Sequence, residues 1–167
     1  MEEIQIPSKH EIVSIPSANT YALVMRHGVY SCPVTYPVRS ALYATFRRAG
    51  GAMDRLFLIK RFVECSCAVE AVEADANLSD ADKQQILGYL KDPDARRLLD
   101  ELDPTNPRFG APVRFYVLDR DRIVWLPYEA HMESPCVAWP YYSLRELLDP
   151  ATAPSARPQD PDDIQDI

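Results

Sequence analysis

Apolar positions along the chain change their spacing several times, and each change predicts an element. Residues 1–20 mix apolar pairs with Pro7 and Pro16, which reads as an extended arm holding a short strand near Ile12 to Ile15. Tyr21 to His27 (YALVMRH) is rich in strand formers and closed by Gly28, so a buried strand is expected, followed by a loop or irregular edge through VYSCPVTYP. From Pro37 onward, Val38, Ala41, Leu42, Thr45, Phe46 and Ala49 recur at three- and four-residue spacing until Gly50-Gly51. That pattern predicts an amphipathic helix whose outer face carries Arg39, Tyr43 and Arg47, with Arg48 alongside.

Leu56 to Glu64 and Cys65 to Val72 then read as two strands or one long bent one. Ser79, with Asp82 three residues on, is placed to cap a helix through Ile86, Leu87 and Leu90. Asp92-Pro93 restarts a helix with Leu98, Leu99 and Leu102 inward, and Asp103-Pro104 stops it. Val113 to Leu118 and Ile123 to Leu126 flank Asp119-Arg120-Asp121-Arg122 as a β-hairpin would, with Trp125 anchoring that end of the core. A last helix begins at Ser143, with Glu146 at the capping-box position, and ends at Asp149-Pro150.

These elements predict an α/β-type (α+β) fold: a small mixed or mostly antiparallel sheet, about four helices, a late hairpin and the option of a partly open barrel. The expected organisation is an N-terminal arm over 1–20, one globular domain over 21–149 and an acidic, proline-rich tail over 150–167 that is flexible or docked on a partner. With 47% apolar residues the chain can bury a core of its own, and 15 prolines against 5 glycines favour rigid turns. The acidic start Met1-Glu2-Glu3 lacks the basic and apolar regions of a secretory leader, and the apolar-rich run Leu56 to Val63 is too short to span a bilayer. A cytoplasmic protein without a membrane segment is therefore expected.

Charge divides the chain. Arg26 to Arg61 holds seven basic residues against the single acid Asp54, whereas Glu64 to Asp103 holds eleven acids against four bases. Only the basic stretch asks for a ligand, and the 64–103 segment is one source of counter-charge. Four cysteines, at 32, 65, 67 and 136, lack paired CxxC spacing and read as reduced thiols; Cys65 and Cys67 would share a face of a strand, but small buried apolar side chains explain them better than a metal set. The pairs Asp80/Asp82, Asp100/Glu101 and Asp119/Asp121 fall at helix surfaces and turns, where the helix dipole and turn geometry account for them. No glycine arrangement matches a phosphate-binding loop, and no cofactor or metal is expected.

Leu23-Val24-Met25-Arg26-His27-Gly28, an apolar strand delivering Arg-His-Gly at its end, resembles the opening motif of the histidine phosphatase (phosphoglycerate mutase-like) superfamily. The resemblance implies His27 as a phosphorylated nucleophile and Arg26 as a phosphoryl-binding cation. It covers six residues, and His131 is the one histidine further along the chain. The order of strands, helix and late hairpin also resembles the PUA/ASCH type of small barrel, which would imply nucleic-acid binding along the basic helix face.

The leading expectation is a non-enzymatic interaction or assembly protein that binds a protein partner or a second copy of itself. The predicted contact residues are Arg39, Tyr43, Arg47 and Arg48 on the basic face, and Trp139, Tyr141 and Tyr142 in a segment dense in aromatics and prolines. Phosphoryl transfer by His27 and Arg26 and nucleic-acid binding are the alternatives.

Overall fold

The structure is a computed structural model and describes residues 11–36, 40–102, 112–132, 139–149 and 151–152. Among these residues it is a mixed α+β fold. The strands are β1 (Ile12–Pro16), β2 (Val29–Pro33), β3 (Tyr43–Arg47), β4 (Ala52–Ser66), β5 (Pro112–His131) and β6 (Tyr141–Tyr142). The helices are α1 (Tyr21–His27), α2 (Val69–Ala74), α3 (Asp80–Leu90), α4 (Pro93–Leu102) and α5 (Leu144–Leu148). The strands form one six-stranded sheet in the order β2-β5-β4-β3-β1-β6. β1 and β3 run parallel while β1–β6, β2–β5 and β3–β4 are antiparallel, so the sheet is mixed; its order has two distinct ends, and it is not a closed barrel. No helix among the described residues is long and apolar enough to cross a membrane.

The chain divides into two compact units. The first comprises Met1–Tyr21, Ser40–Leu58 and Asp121–Ile167; the second comprises Ala22–Arg39 and Ile59–Arg120. In the first, Ile12, Met53, Leu56, Leu126, Tyr128, Ala130 and Leu147 form the core, with Tyr43, Tyr142 and Leu144 packed against it. In the second, α3 and α4 bury Ile86, Leu87, Tyr89, Leu90 and Ala95 against Val29, Val63, Phe115 and Val117 of the strands.

Where local capping decides an element, the sequence expectation and the structure agree. Ser79 Oγ accepts the Asp82 N–H at 3.2 Å to open α3. Ser143 and Glu146 form the reciprocal capping box of α5, with Glu146 N–H to Ser143 Oγ at 3.1 Å and Ser143 N–H to the Glu146 carboxylate at 2.7 Å. The strand near Ile12 and the restart of a helix at Pro93 also stand. Asp103-Pro104 and the tail from 153 lie outside the described residues.

Five expectations are revised. Tyr21–His27 is a helix, not a strand: the neighbours Leu23 and Val24 are both buried while Ala22 and Arg26 are exposed, which is a helical rather than an alternating pattern. The Ser17 carbonyl accepts from the Thr20 and Tyr21 N–H groups at its start, and Gly28, at φ +62°, ends it with its N–H on the Val24 carbonyl. The following VYSCP, expected as a loop or an irregular edge, is strand β2 at one end of the sheet, paired with Val113 to Val117 of β5.

The third correction removes the predicted amphipathic helix over 40–49, the part of it that the described residues cover. Tyr43–Arg47 is strand β3, held between β1 and β4, and Ala44, Thr45, Phe46 and Arg47 are all buried. An interior strand covered on both faces needs no alternation, so its apolar residues fit a helical spacing by accident. The chain then turns through Ala49–Gly51, where Gly50 and Gly51 both adopt φ +82°.

The fourth correction concerns the hairpin. Asp119 to Arg122 lies inside β5, which runs unbroken from Pro112 to His131. The charged run has the exposed positions of a solvated strand segment and no glycine to supply a tight turn. Upstream, β4 is the single long strand allowed for by the sequence, but it ends at Ser66, and Val69–Ala74 is helix α2.

Candidate interaction face

The first unit carries a chain of alternating aromatic and charged side chains. In the last half of β5, Leu126, Tyr128 and Ala130 enter the core, so the period of two turns Trp125, Pro127, Glu129 and His131 to the other face. Trp125 is 37% exposed. The Arg55 guanidinium carbon lies 4.1 Å from the centre of its ring, and 6.0 Å from the centre of the Tyr21 ring, which in turn lies 6.0 Å from the Arg48 guanidinium carbon.

Carboxylates fix the cations of this ladder. Arg55 donates from Nε and Nη2 to the two oxygens of Asp54, both at 2.9 Å, and both side chains are about nine-tenths buried. Burial lowers the Arg55 pKa, but the hydrogen bonds and charge of Asp54 outweigh it, so the net shift is upward and the guanidinium stays charged. Arg48 Nη2 bonds Glu129 Oε2 at 2.5 Å and lies 3.5 Å from Asp54 Oδ2, while the other Glu129 oxygen meets His131 Nε2 at 2.5 Å. Burial, then the Asp54 charge, pushes the Tyr21 phenol above its ordinary range, so it stays protonated; its hydroxyl is buried without a partner.

The predicted contact residues are scattered differently from the expectation. Arg47 and Arg48 flank the ladder, yet Arg47 is 4% exposed, with its guanidinium on the Met132 sulfur and its carbonyl accepting from Ser17. Tyr43 is half-buried against the core of the unit, so no basic helix face exists among these residues. Arg39 lies outside the described residues. Tyr141 and Tyr142 are half-buried in β6, opposite Val13 and Ile12, and Tyr142 packs against the core; Trp139 is half-buried just before them. Trp125, expected to anchor the core, is instead exposed. Tyr21, Arg55 and Glu129 are not candidates in the sequence reading, where His131 enters only as the one downstream histidine, although the two-residue spacing of Trp125, Pro127, Glu129 and His131 is a face that the sequence does spell.

Arg26 and His27 occupy the second unit. They sit at the end of helix α1 rather than at a strand end, and both are held by acids. His27 Nε2 meets Asp92 Oδ2 at 2.8 Å, and Arg26 bridges to Asp92 and Asp94, each at 3.0 Å. The other Asp92 oxygen accepts the Asp94 N–H at 2.9 Å, opening α4. The hydrogen bond from His27, set against burial and joined by the Asp94 N–H and the Arg26 charge, holds the Asp92 carboxyl below the usual range. The cation that would hold a phosphoryl group is thus already neutralised by two carboxylates.

Much of the remaining positive charge of the 26–61 stretch is answered within the same unit, as Lys60 and Arg61 lie 3.1 and 3.6 Å from the buried Asp82 carboxylate. Cys32 and Cys67 are buried and Cys65 half-buried; Cys67 lies beyond the end of β4, and no group of metal-ligating side chains gathers among the described residues. Cys136 lies outside them. No protein-family model matches the chain, and comparison with characterised proteins and with solved structures likewise yields no match.

Proposed function

We propose that this chain is a non-enzymatic interaction or assembly protein and that Trp125, at the exposed end of the ladder, is its principal contact with a protein partner. The observation that carries this reading is an exposed tryptophan on the face of β5 away from the core, with its ring against a guanidinium that itself makes two hydrogen bonds to Asp54. Trp, Tyr and Arg dominate the few residues that supply most of the energy at protein interfaces, and a preorganised side chain loses little entropy on binding. The pairing of Arg26, Arg48, Arg55, Lys60 and Arg61 with acids of their own units supports a protein partner over a polyanion, since a phosphate backbone would have to compete with those carboxylates.

The test is comparative capture on the immobilised full chain, at low and high salt, with wild type and Trp125→Ala. A partner retained by the wild type is expected to fall at least about tenfold with the variant, the loss typical of an interface hot spot. Trp125→Ala leaves the core intact, so circular dichroism stays unchanged. Equal recovery of the same partner by both proteins overturns the proposal. Charge reversal at Arg47 is unsuited to this purpose, because the side chain is buried and its reversal reports on folding.

A further inference from the structure

Resting on the reading of Trp125 as a partner contact, we infer that His131 is a proton-operated control of that contact, acting through Glu129, Arg48, Asp54 and Arg55. The links are contiguous and lie in one unit: His131 to Glu129 at 2.5 Å, Glu129 to Arg48 at 2.5 Å, Arg48 to Asp54 at 3.5 Å, Asp54 to Arg55 at 2.9 Å, and Arg55 to the Trp125 ring at 4.1 Å. The side chains of His131, Glu129, Asp54 and Arg55 are 15, 21, 10 and 9% exposed, and that of Arg48, the most exposed link, 32%, so salt screens the relay mainly at Arg48.

The charged groups linked to the histidine through Glu129 come from three places. Glu129 is on its own strand, Arg48 follows β3, and Asp54 with Arg55 begins β4, while Arg47 and Tyr21 stand beside them. With a neutral imidazole, Glu129 is balanced by Arg48. A proton on His131 gives Glu129 a second cation on its other oxygen, and the imidazolium repels Arg48. Arg48 already stands 3.5 Å from Asp54, which accepts both bonds from Arg55, so a weaker hold on Glu129 draws Arg48 further onto Asp54. Closer competition for Asp54 loosens Arg55 and with it the support of Trp125.

The experiment needs no partner. Trp139→Phe leaves Trp125 as the one remaining tryptophan of the two in the sequence. In this background the emission of the full chain is recorded from about pH 8 to 5, the range of histidine titration. A single one-proton transition is expected, and His131→Gln is expected to abolish it. Glu129→Gln, which keeps the shape but removes the shared charge, is expected to abolish it as well and serves if the first variant fails to fold. A transition unchanged in a folded His131→Gln protein, or flat emission from the folded parent, overturns the relay. Loss of the partner contact alone leaves the transition in place, so the two proposals fail separately.

Discussion

Arg55 is shared between Trp125 and Asp54: its guanidinium carbon stands 4.1 Å from the indole centre while Nε and Nη2 both bond the carboxylate. Removing one member of such a shielded pair strands the other. Asp54→Ala is expected to lower the unfolding free energy by about 3 kcal/mol, and the double variant Asp54→Ala/Arg55→Ala to recover part of that loss. Urea denaturation of the two singles and the double measures it, and strictly additive losses would show that the pair is not coupled.

The β3–β4 turn offers a controlled comparison between two glycines with the same backbone. Both adopt φ +82°, but a Cβ on Gly50 meets nothing within 4 Å, whereas one on Gly51 would lie 2.4 Å from the Met132 carbonyl oxygen. Gly50→Ala should therefore cost only the left-handed backbone term, about 1–2 kcal/mol. Gly51→Ala carries that cost plus displacement of the backbone at Met132, whose N–H bonds the Gly51 carbonyl at 3.0 Å. Equal melting temperatures for the two variants would contradict this geometry.

Asp92 makes the second unit acid-sensitive. Its folded carboxyl is held below the ordinary value, first by the His27 hydrogen bond, so its contribution to stability is full above the usual aspartate range near about 3.9 and is lost as the pH falls through the lower folded value. Asp92→Asn is expected to be less stable than wild type at pH 7, with the gap closing below about pH 4. Urea midpoints at several pH values decide this, and a gap that stays constant to the lowest pH would count against it.

Burial pushes the thiols of Cys32, Cys65 and Cys67 up from the ordinary 9.0 to about 11 each. That corresponds to roughly a hundredfold less thiolate than an ordinary thiol, and the thiolate is the reactive form. In a Cys136→Ser background, native alkylation by iodoacetamide at neutral pH is expected to be slow at all three and to become fast in urea. Rapid native labelling at Cys32, which is 1% exposed, would contradict the packing around β2.

Much of the secondary structure was legible because some of its determinants are local. Ser79 and Ser143 announce helix starts through bonds that span three residues, and Pro93 fits a first helical turn. The failures occur where tertiary burial overrides short patterns. Seven residues from Tyr21 to His27 are too few to separate two periods, and Gly28 closes a helix as readily as a strand. β3 is buried from Ala44 to Arg47 and lies between β1 and β4, information that lies elsewhere in the chain. The acidic and basic residues of 119–122 look like a turn because a solvated stretch within a 20-residue strand has the same composition.

The candidate face was hidden for the same reason. Trp125 reads as a core anchor from its hydrophobicity, and its exposure follows only once Leu126 and Tyr128 are seen to take the inward positions. Arg55 and Asp54 are adjacent in sequence, yet nothing local reveals that they support a tryptophan seventy residues away. The charge reading fared better: the acidic 64–103 segment supplies Asp82, Asp92 and Asp94 to cations of the basic stretch, as the sequence allowed.

The most direct test places a photo-reactive benzophenone side chain at Pro127, exposed on the same face as Trp125, and, in a separate protein, at the exposed Glu70 of α2, and illuminates each with the captured partner. The account predicts one adduct of defined mass from position 127 and none from position 70. An adduct from position 70 alone, or a captured partner that never crosslinks at 127, would contradict the central claim that the Trp125 face is the contact.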